Sequence, residues 1–347
     1  MKKLHLIQLG TSPRMERLLS FALEGIEVCR VHTEDMENGL CGARILFALH
    51  VDDFGAGAEL HVLLRTLRRC ACSLEGSTGG ILVDGDGELY TKAAAQAIAL
   101  AANAAGCAFP GKPLVEGTGS LYNQHIAAKN LGVSLEEAYF LRARELVRRT
   151  LTAVPPKCPQ PQLLMLHASS NRRSNTVWMG REVLRRLPPE IQTRELSLQN
   201  GTVFDCRGCS YDACLHFAEN SRCFYGGAIT EEVLPAVQQS SAILLLCPNF
   251  NDAVPANMTA FFNRLTNISV LRDLSDKYVF AIVVSGYSGS DLLARQIMGA
   301  MCMNKGVNLP PRFCLLQTAN DPGSAQDSPG IAQKLDLFAE RITKTLL

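Results

Sequence analysis

LLMLHASSNRRSNT, residues 163–176, holds the elements that decide the fold of the second half of the chain. Its first five residues, 163–167, form a short apolar run that is typical of a buried parallel strand. A loop of small polar residues follows, and helical spacing begins near Asn175. A strand that passes through a short loop into a helix is the repeating unit of α/β folds. The stretch therefore predicts an α/β domain.

The same alternation continues to the end of the chain. The pattern predicts strands at 163–167, 192–196, 242–247, 279–285 and 312–317. It predicts helices at 175–186, 231–239, 256–267, 290–304 and 331–346. This order indicates a doubly wound parallel sheet with helices on both faces, and the ligands of such sheets bind beyond the carboxyl ends of the strands.

A proline-rich stretch divides the sequence. Residues 154–161 contain four prolines in eight positions, which neither a helix interior nor a central strand accommodates. We therefore predict a first domain at 1–152, a linker at 153–161 and a second domain at 162–347.

The first domain resembles the second in three segments that follow in the same order. These segments pair 4–14 with 163–172, 44–69 with 242–264, and 80–111 with 282–310. A duplication explains this match, although any two α/β domains share some of the rhythm. The fold class that we predict is therefore α/β, with two tandem three-layer domains and a doubly wound parallel sheet in each.

Composition limits the partners. The 347 residues include 34 Lys plus Arg and 33 Asp plus Glu, so there is little net charge to attract nucleic acid or an anionic membrane. No apolar segment is long enough for a signal peptide or a membrane span, and we expect a cytoplasmic protein. Thirteen cysteines in such a chain suggest thiols, metal ligands or redox chemistry rather than a disulfide framework.

The loop between the strand at 163–167 and the helix at 175 is suited to phosphate. Helix N-termini present unpaired backbone N–H groups, and small polar side chains add donors without blocking approach. The loop resembles the Gly-Ser-Pro-Arg-x-x-(Ser/Gly)-x-Thr loop of the NAD(P)H-dependent FMN reductases and of the related iron-sulfur flavoproteins, which have the flavodoxin-like fold. The resemblance implies that the FMN phosphate contacts Ser169, Asn171, Arg172, Ser174, Asn175 and Thr176. Ala168 departs from the family's glycine, and Asn171 departs from its usual arginine.

Two later loops extend the resemblance over most of the second half. Residues 247–264 resemble the family's Ser-Pro-Val-Tyr-Trp loop and the helix after it, with Thr259 and Asn263 as departures. Residues 283–290 resemble the third flavin-contacting loop, where glycine permits close approach of the backbone. The resemblance implies that the flavin ring contacts Pro248, Asn249, Phe250, Asn251, Ser285, Gly286, Tyr287 and Gly289.

Four cysteines form a C-x2-C-x4-C-x8-C run before the predicted helix at 231. They are Cys206, Cys209, Cys214 and Cys223. Four thiolates can ligate a [4Fe–4S] cluster or zinc. Iron-sulfur flavoproteins carry a cysteine run at this topological position with tighter spacing, whereas many FMN reductase relatives keep similar cysteines without a cluster. A cluster, a zinc ion and reduced free thiols remain the alternatives.

The resemblance implies an oxidoreductase with FMN as cofactor and NAD(P)H as co-substrate, which reduces a quinone, a flavin or another small acceptor. Because the flavin supplies the chemistry, no side chain is predicted as a catalytic acid or base. An FMN and iron-sulfur electron-transfer protein is one alternative, and a non-catalytic scaffold that has lost its flavin is another.

The first domain is expected to bind no flavin. Its turn at 10–14 echoes the phosphate loop, but Glu16 follows and would repel a phosphate. We predict a degenerate copy that takes the place of a second subunit, as FMN reductases commonly dimerise with their flavins near the interface. The expected partners are a small electron acceptor or a redox protein, with a homodimer as a further possibility.

Overall fold

The computed structural model describes residues 3–33, 35–169, 173–199, 203–219 and 223–347. The chain divides into two compact units. The first comprises Met1–Val154 with Leu309–Arg312, and the second comprises Pro155–Asn308 with Phe313–Leu347. Two positions of the predicted phosphate loop, Asn171 and Arg172, lie outside the described residues.

The first unit alternates strands with helices. Its strands are β1 (Leu4–Leu9), β2 (Val28–Arg30), β3 (Arg44–Asp52), β4 (Gly55–Ala56), β5 (Thr78–Gly85) and β6 (Leu114–Gly117). Its helices are α1 (Pro13–Ala22), α2 (Ala58–Arg69), α3 (Thr91–Ala104), α4 (His125–Leu131) and α5 (Leu135–Thr152). Short 3-10 turns lie at Asp35–Asn38 and Tyr122–Gln124.

The second unit repeats this pattern. Its strands are β7 (Gln162–His167), β8 (Gln192–Ser197), β9 (Ala242–Pro248), β10 (Tyr278–Ser285) and β11 (Cys314–Thr318). Its helices are α6 (Asn175–Leu184), α7 (Tyr211–Ala218), α8 (Leu234–Gln239), α9 (Ala256–Arg264), α10 (Thr266–Ser269), α11 (Ser290–Met298) and α12 (Ile331–Leu346). A π-helical turn at Ile229–Val233 precedes α8, another at Gly299–Asn304 follows α11, and a 3-10 turn lies at Ser324–Asp327.

Both sheets have the same strand order. It is β2-β1-β3-β5-β6 in the first unit and β8-β7-β9-β10-β11 in the second, and only the small β4, beside β3, runs antiparallel. Counted by parallel strands, each order is 2-1-3-4-5, which is the flavodoxin-like order. The predicted fold class is therefore confirmed as two tandem flavodoxin-like domains. The order reverses beside the first strand of each unit, and this reversal opens a crevice at the carboxyl edge of the sheet.

The cores lie between the sheets and their helices. All eight residues of β5 and all eight of β10 are buried, as central strands covered on both faces require. On one face of the second sheet, alternate residues of β7, β9 and β10 pack against α6 and α12. On one face of the first sheet, β1 and β3 pack against α1 and α5 in the same way. Within the described residues, no helix combines the length and the apolar character that crossing a bilayer requires.

Some elements of the second unit differ from the predicted ones. The helix predicted at 256–267 breaks after Arg264 into α9 and α10, and the helix predicted at 290–304 changes to a π-helical turn at Gly299. The cysteine run, in which no helix is predicted, contains α7, which carries Cys214. Ser210 begins α7 by accepting a hydrogen bond from the backbone N–H of Ala213, a capping signal that the dense cysteines obscured.

Candidate functional site

Four loops meet at the carboxyl edge of the second sheet and enclose a cleft of about 530 Å³. They follow β7, β9, β10 and β11, the strands on both sides of the point where the strand order reverses. This volume is within the range of small-molecule sites. The predicted residues that line the cleft are Ser169, Ser174, Asn175, Thr176, Pro248, Asn249, Phe250, Asn251, Gly286 and Tyr287.

The N-terminus of α6 faces this cleft. Ser174 is the N-cap, and its Oγ accepts a hydrogen bond from the backbone N–H of Val177 at 3.4 Å. The hydroxyls of Ser174 and Thr176 lie 3.0 Å apart. Arg173, an exposed residue, also lines the cleft. A helix N-terminus, two hydroxyls and a guanidinium together suit an anion such as a phosphate monoester.

Asn175 connects the phosphate loop to a loop that the sequence analysis did not identify. Its amide nitrogen donates to the carbonyl of Asp321 at 2.9 Å, and its amide oxygen accepts from the backbone N–H of Ala325 at 3.1 Å. The fourth loop adds Ala319, Asn320 and Pro322 to the cleft. Its position after the last parallel strand was the available signal, because every such loop opens at the ligand-binding edge.

Asn249 is the centre of the loop that follows β9. Its Nδ2 donates to Asp252 Oδ1 and Ser285 Oγ, each at 3.1 Å, and to the carbonyl of Ser288 at 3.0 Å. Its Oδ1 accepts from the backbone N–H of Asp252 at 2.8 Å. The predicted residues Ser285 and Gly289 therefore act from behind the cleft lining: Ser285 is fully buried, and Gly289 begins α11 beside Asn249 and Asp252. Asp252 lines the cleft and was missed by the sequence analysis.

Two aromatic rings of the cleft are open to solvent. Phe250 is 63% exposed and Tyr287 is 82% exposed, although both line the cleft. The Tyr287 hydroxyl accepts a hydrogen bond from Asn320 Nδ2 at 3.2 Å, which restrains the ring. Exposed rings beside a polar cleft offer flat apolar surface to a planar ligand.

His167 lies at the end of β7, directly before the phosphate loop. Its side chain is 7% exposed, and Nε2 lies 3.2 Å from Glu195 Oε1. Arg181 donates two hydrogen bonds to the same carboxylate, at 2.7 and 3.1 Å. Burial lowers the pKa of His167, and the neighbouring Glu195 opposes this shift only in part. The hydrogen bond from Arg181 lowers the pKa of Glu195.

We expect the second unit to lose stability as the pH falls from about 7 to about 5. Because the pKa of His167 is lower in the folded state than in the unfolded state, the unfolded chain takes up the proton first as the pH falls. The contribution of neutral His167 to the stability is therefore complete above a pH of about 6.5, the pKa of an unfolded histidine, and is lost as the pH falls below that value. Urea unfolding followed by fluorescence of Trp178, the single tryptophan, measures the effect in this unit. His167→Gln should reduce the pH dependence, whereas His216→Gln, at an exposed histidine of the same unit, should retain it. Equal pH dependence in the His167 variant and the wild type would contradict the assignment.

The cysteine run is held near the end of α9. The buried Arg264 donates to the carbonyls of Phe204 and Gly226, at 3.2 and 2.9 Å, and these residues flank the run on its two sides. Cys206 and Cys209 are exposed, whereas Cys214 and Cys223 are half-buried. Burial raises the pKa of the Cys214 thiol, and the three other thiols raise it further, so the four sulfurs are electrostatic neighbours. Within the described ranges, however, no group of three or more His, Cys, Asp or Glu side chains is arranged to hold a metal ion.

The equivalent edge of the first unit carries a buried ion pair. The Asp84 carboxylate accepts hydrogen bonds from Ser12 Oγ and Arg14 Nε, each at 2.7 Å. Ser12 is the N-cap of α1, which corresponds to Ser174 at α6. The hydroxyl that would donate to a phosphate is therefore bonded to a protein carboxylate, and a phosphate at this place would be repelled by Asp84.

Residues 161–321 match the family model described as NADPH-dependent FMN reductase. An FMN-dependent NADH-azoreductase from Bacillus anthracis, solved in complex with FMN, is 12% identical; the similarity covers 52% of this chain and 99% of that one, with a TM-score of 0.37. An NAD(P)H:quinone oxidoreductase from Methanothermobacter marburgensis is 14% identical over 53% of this chain and 96% of that one, with a TM-score of 0.39. The chain has no match among curated protein sequences.

Proposed function

We propose that the chain is a flavin-dependent oxidoreductase that reduces a quinone or another planar small acceptor with NAD(P)H, because residues 161–321 match the family model of the NADPH-dependent FMN reductases. The observation that carries the proposal is that one cleft combines the N-terminus of α6 with two solvent-exposed aromatic rings, Phe250 and Tyr287. FMN held in this cleft would supply the redox chemistry, namely acceptance of a hydride from the nicotinamide and donation of electrons to the acceptor. The residues of the chain bind and orient the reactants.

The phosphate of FMN fits the N-terminus of α6. Ser174 and Thr176 offer hydroxyl donors, the first turn of α6 offers backbone N–H groups, and Arg173 offers positive charge. A charged phosphate at a helix N-terminus gains from the helix dipole as well as from the hydrogen bonds. We propose that this end of the cleft provides most of the affinity for FMN.

The flavin ring fits beside the Asn249 loop. Three donated hydrogen bonds and one accepted bond immobilise the Asn249 side chain, so the backbone around Pro248 and Phe250 is held in one conformation. Phe250 and Tyr287 then remain as flat surfaces for the acceptor or the nicotinamide. A planar conjugated acceptor, such as a quinone, matches surfaces of this kind better than a small aliphatic acceptor does.

An FMN titration and a turnover assay test the proposal. We expect one FMN per chain, because Asp84 opposes a phosphate in the first unit, and we expect oxidation of NADPH or NADH that depends on an added quinone. Two FMN per chain would contradict the role of Asp84. Absence of FMN binding would favour the scaffold alternative, and binding without turnover would favour electron transfer between proteins. Size-exclusion chromatography with light scattering would distinguish a homodimer from a monomer in which the first unit takes the place of a second subunit.

Gln296 of α11 is expected to support FMN binding without touching the flavin. Its Nε2 donates to the carbonyl of Asp252 at 3.0 Å, and its Oε1 accepts from the backbone N–H of Val254 at 3.1 Å. The same loop contains two successive non-glycine residues with positive φ, Asn251 at 54° and Asp252 at 58°. Such a conformation costs free energy at each residue and persists only where the surroundings enforce it. Gln296→Leu removes both bonds and should weaken FMN binding by about 10-fold.

A second Gln296 variant distinguishes a role in positioning the loop from a general effect on folding. Gln296→Glu keeps the acceptor for Val254 and loses the donor to Asp252, so its FMN affinity should lie between those of the wild type and Gln296→Leu. Trp178 fluorescence should report similar unfolding midpoints for all three proteins. If both variants bind FMN as the wild type does, Gln296 has no role in positioning the loop.

Electron transfer through FMN and a [4Fe–4S] cluster is the second candidate function. The observation that favours it is that Cys206, Cys209 and Cys223 lie close enough to Cys214 to raise the pKa of its thiol. Anaerobic purification with iron and sulfide reconstitution tests it. A broad absorption that dithionite bleaches, with four iron atoms per chain, supports the cluster, and Cys214→Ser should abolish both. Reconstituted protein without bound iron would reject this candidate and leave the cysteines as free thiols.

A further inference from the structure

Two exposed cysteines of the first unit lie on neighbouring segments. Backbone amides of residues 39–42 donate to carbonyls of residues 72–75 at 2.6 and 2.9 Å, which holds the segments side by side. Cys41 lies on the first segment and Cys72 on the second, and both are exposed. Cys41 Sγ lies 3.6 Å from the carbonyl oxygen of Cys72. The thiol of one cysteine therefore contacts the backbone of the other.

The side chain of Arg312 approaches one of these sulfurs. Its Nη2 lies 3.5 Å from Cys72 Sγ and 2.8 Å from the carbonyl of Ala71. Its Nη1 forms an ion pair with Glu75 at 2.6 Å. The guanidinium side chain is 19% exposed, so the surrounding residues fix its direction. A fixed cationic donor at a sulfur stabilises the negative charge of an attacking thiolate and of the sulfenate that follows.

The backbone around Cys41 is suited to a small rearrangement. Gly39 and Gly42, on either side of it, have φ of 76° and 69°, and a side chain at Gly42 would meet no atom within 4 Å. A disulfide requires the two Cα atoms to lie within about 7 Å and the two side chains to turn toward each other. Contact between the Cys41 sulfur and the Cys72 backbone shows that the two residues are neighbours, and a disulfide then requires their side chains to rotate toward each other.

We propose that Cys41 and Cys72 are a peroxide-sensitive pair that forms a disulfide, with Cys72 as the attacking thiol and Cys41 as the resolving thiol. The Cys72 thiolate attacks one oxygen of hydrogen peroxide, the O–O bond breaks, and hydroxide leaves to become water when protonated. The Cys41 thiol then attacks the Cys72 sulfenic acid, an S–S bond forms, and a second water leaves. In total, two thiols and one hydrogen peroxide give one disulfide and two water molecules.

Peptide mapping of the full-length chain tests the proposal. The protein is treated with hydrogen peroxide, free thiols are blocked with N-ethylmaleimide, and the chain is digested without reductant. We expect one cross-linked peptide pair that contains Cys41 and Cys72, lost in Cys41→Ser and in Cys72→Ser. Cys158→Ser, at another exposed cysteine, and Cys70→Ser, at a half-buried cysteine of the same loop, should leave the cross-link unchanged.

The rate of cross-link formation in two Arg312 variants tests whether this guanidinium assists the reaction. Arg312→Gln should slow formation of the cross-link by about 3- to 10-fold, and Arg312→Lys should restore part of the rate because the positive charge remains. Separate oxidation of the two cysteines without a cross-link would overturn the proposal, as would a cross-link that joins Cys41 to Cys70. Equal rates in all three proteins would remove Arg312 from the reaction. Because the readout is a peptide mass, the result does not depend on flavin binding or turnover.

Discussion

Replacement of Gly289 by alanine is expected to weaken FMN binding by about 10- to 100-fold. Gly289 begins α11 with φ of 85°, and an added Cβ would lie 2.1 Å from Asp252 Oδ1 and 2.9 Å from Asn249 Nδ2. Neither distance is compatible with a stable contact, so Asp252 and Asn249 must move. Their movement breaks the hydrogen bonds that fix the cleft wall after β9. FMN then binds less tightly, because part of the binding free energy is used to order the loop after β9.

Gly330 provides the matched control. It also precedes a helix, α12, with a positive φ of 70°, but a Cβ there would meet no atom within 4 Å. Gly330→Ala therefore has a similar backbone cost of about 1 kcal/mol without a clash in the cleft. Titration of each variant with FMN, followed by flavin fluorescence, makes the comparison. Similar losses of affinity in both variants would show that general destabilisation, rather than the Asn249 loop, accounts for the effect.

Replacement of Asp84 by asparagine is expected to destabilise the first unit by about 3 kcal/mol. The Asp84 side chain is 1% exposed and pairs with Arg14, whose side chain is 19% exposed. The same guanidinium donates to the carbonyls of Gly85 and Gly119, at 2.7 and 3.3 Å, and so remains in place when the charge of Asp84 is removed. An asparagine keeps the shape but leaves a buried cation without its counter-ion.

The control is an exposed pair of the same chemistry. Arg17 and Glu136 lie 2.6 Å apart, with side chains 59% and 49% exposed. Glu136→Gln should cost less than about 1 kcal/mol, because water screens the pair. Hydrogen exchange of peptides from β5 and α5 measures both effects, and Asp84→Asn should reduce protection there roughly 100-fold. Equal protection in the two variants would mean that the buried pair contributes little.

Local sequence patterns predicted the strands of the second unit well. β7, β9 and β10 each begin and end within one residue of the predicted positions, because a buried parallel strand is a continuous apolar run that ends at a polar loop. The helix start at Asn175 was equally visible, since a capping serine precedes it. The family resemblance of the second half followed from the same loops, and the match at 161–321 confirmed it.

Features that join distant segments were not predicted. The Asn249 network joins loops that lie 36 to 39 residues apart in sequence. Asp84 bonds to Arg14 and Ser12, which precede it by 70 and 72 residues. The loop after β11 and the side chain of Asp252 were also missed, since neither carries a local motif. Helix α7 was hidden because its eight residues lie among cysteines that suggested a metal-binding loop.

The sequence by itself determined the α/β class, the order of strands and helices along the chain, the resemblance of the second half to the FMN reductases and most of the loops at the cleft. These properties depend on apolar periodicity, caps and short motifs, which act over a few residues. Tertiary structure alone decided which side chains of those loops face the cleft and which residues support it from behind, as Ser285 and Gly289 do. It also decided that an aspartate occupies the corresponding edge of the first unit. The reason is that strand order, not sequence proximity, sets which loops meet at a sheet edge.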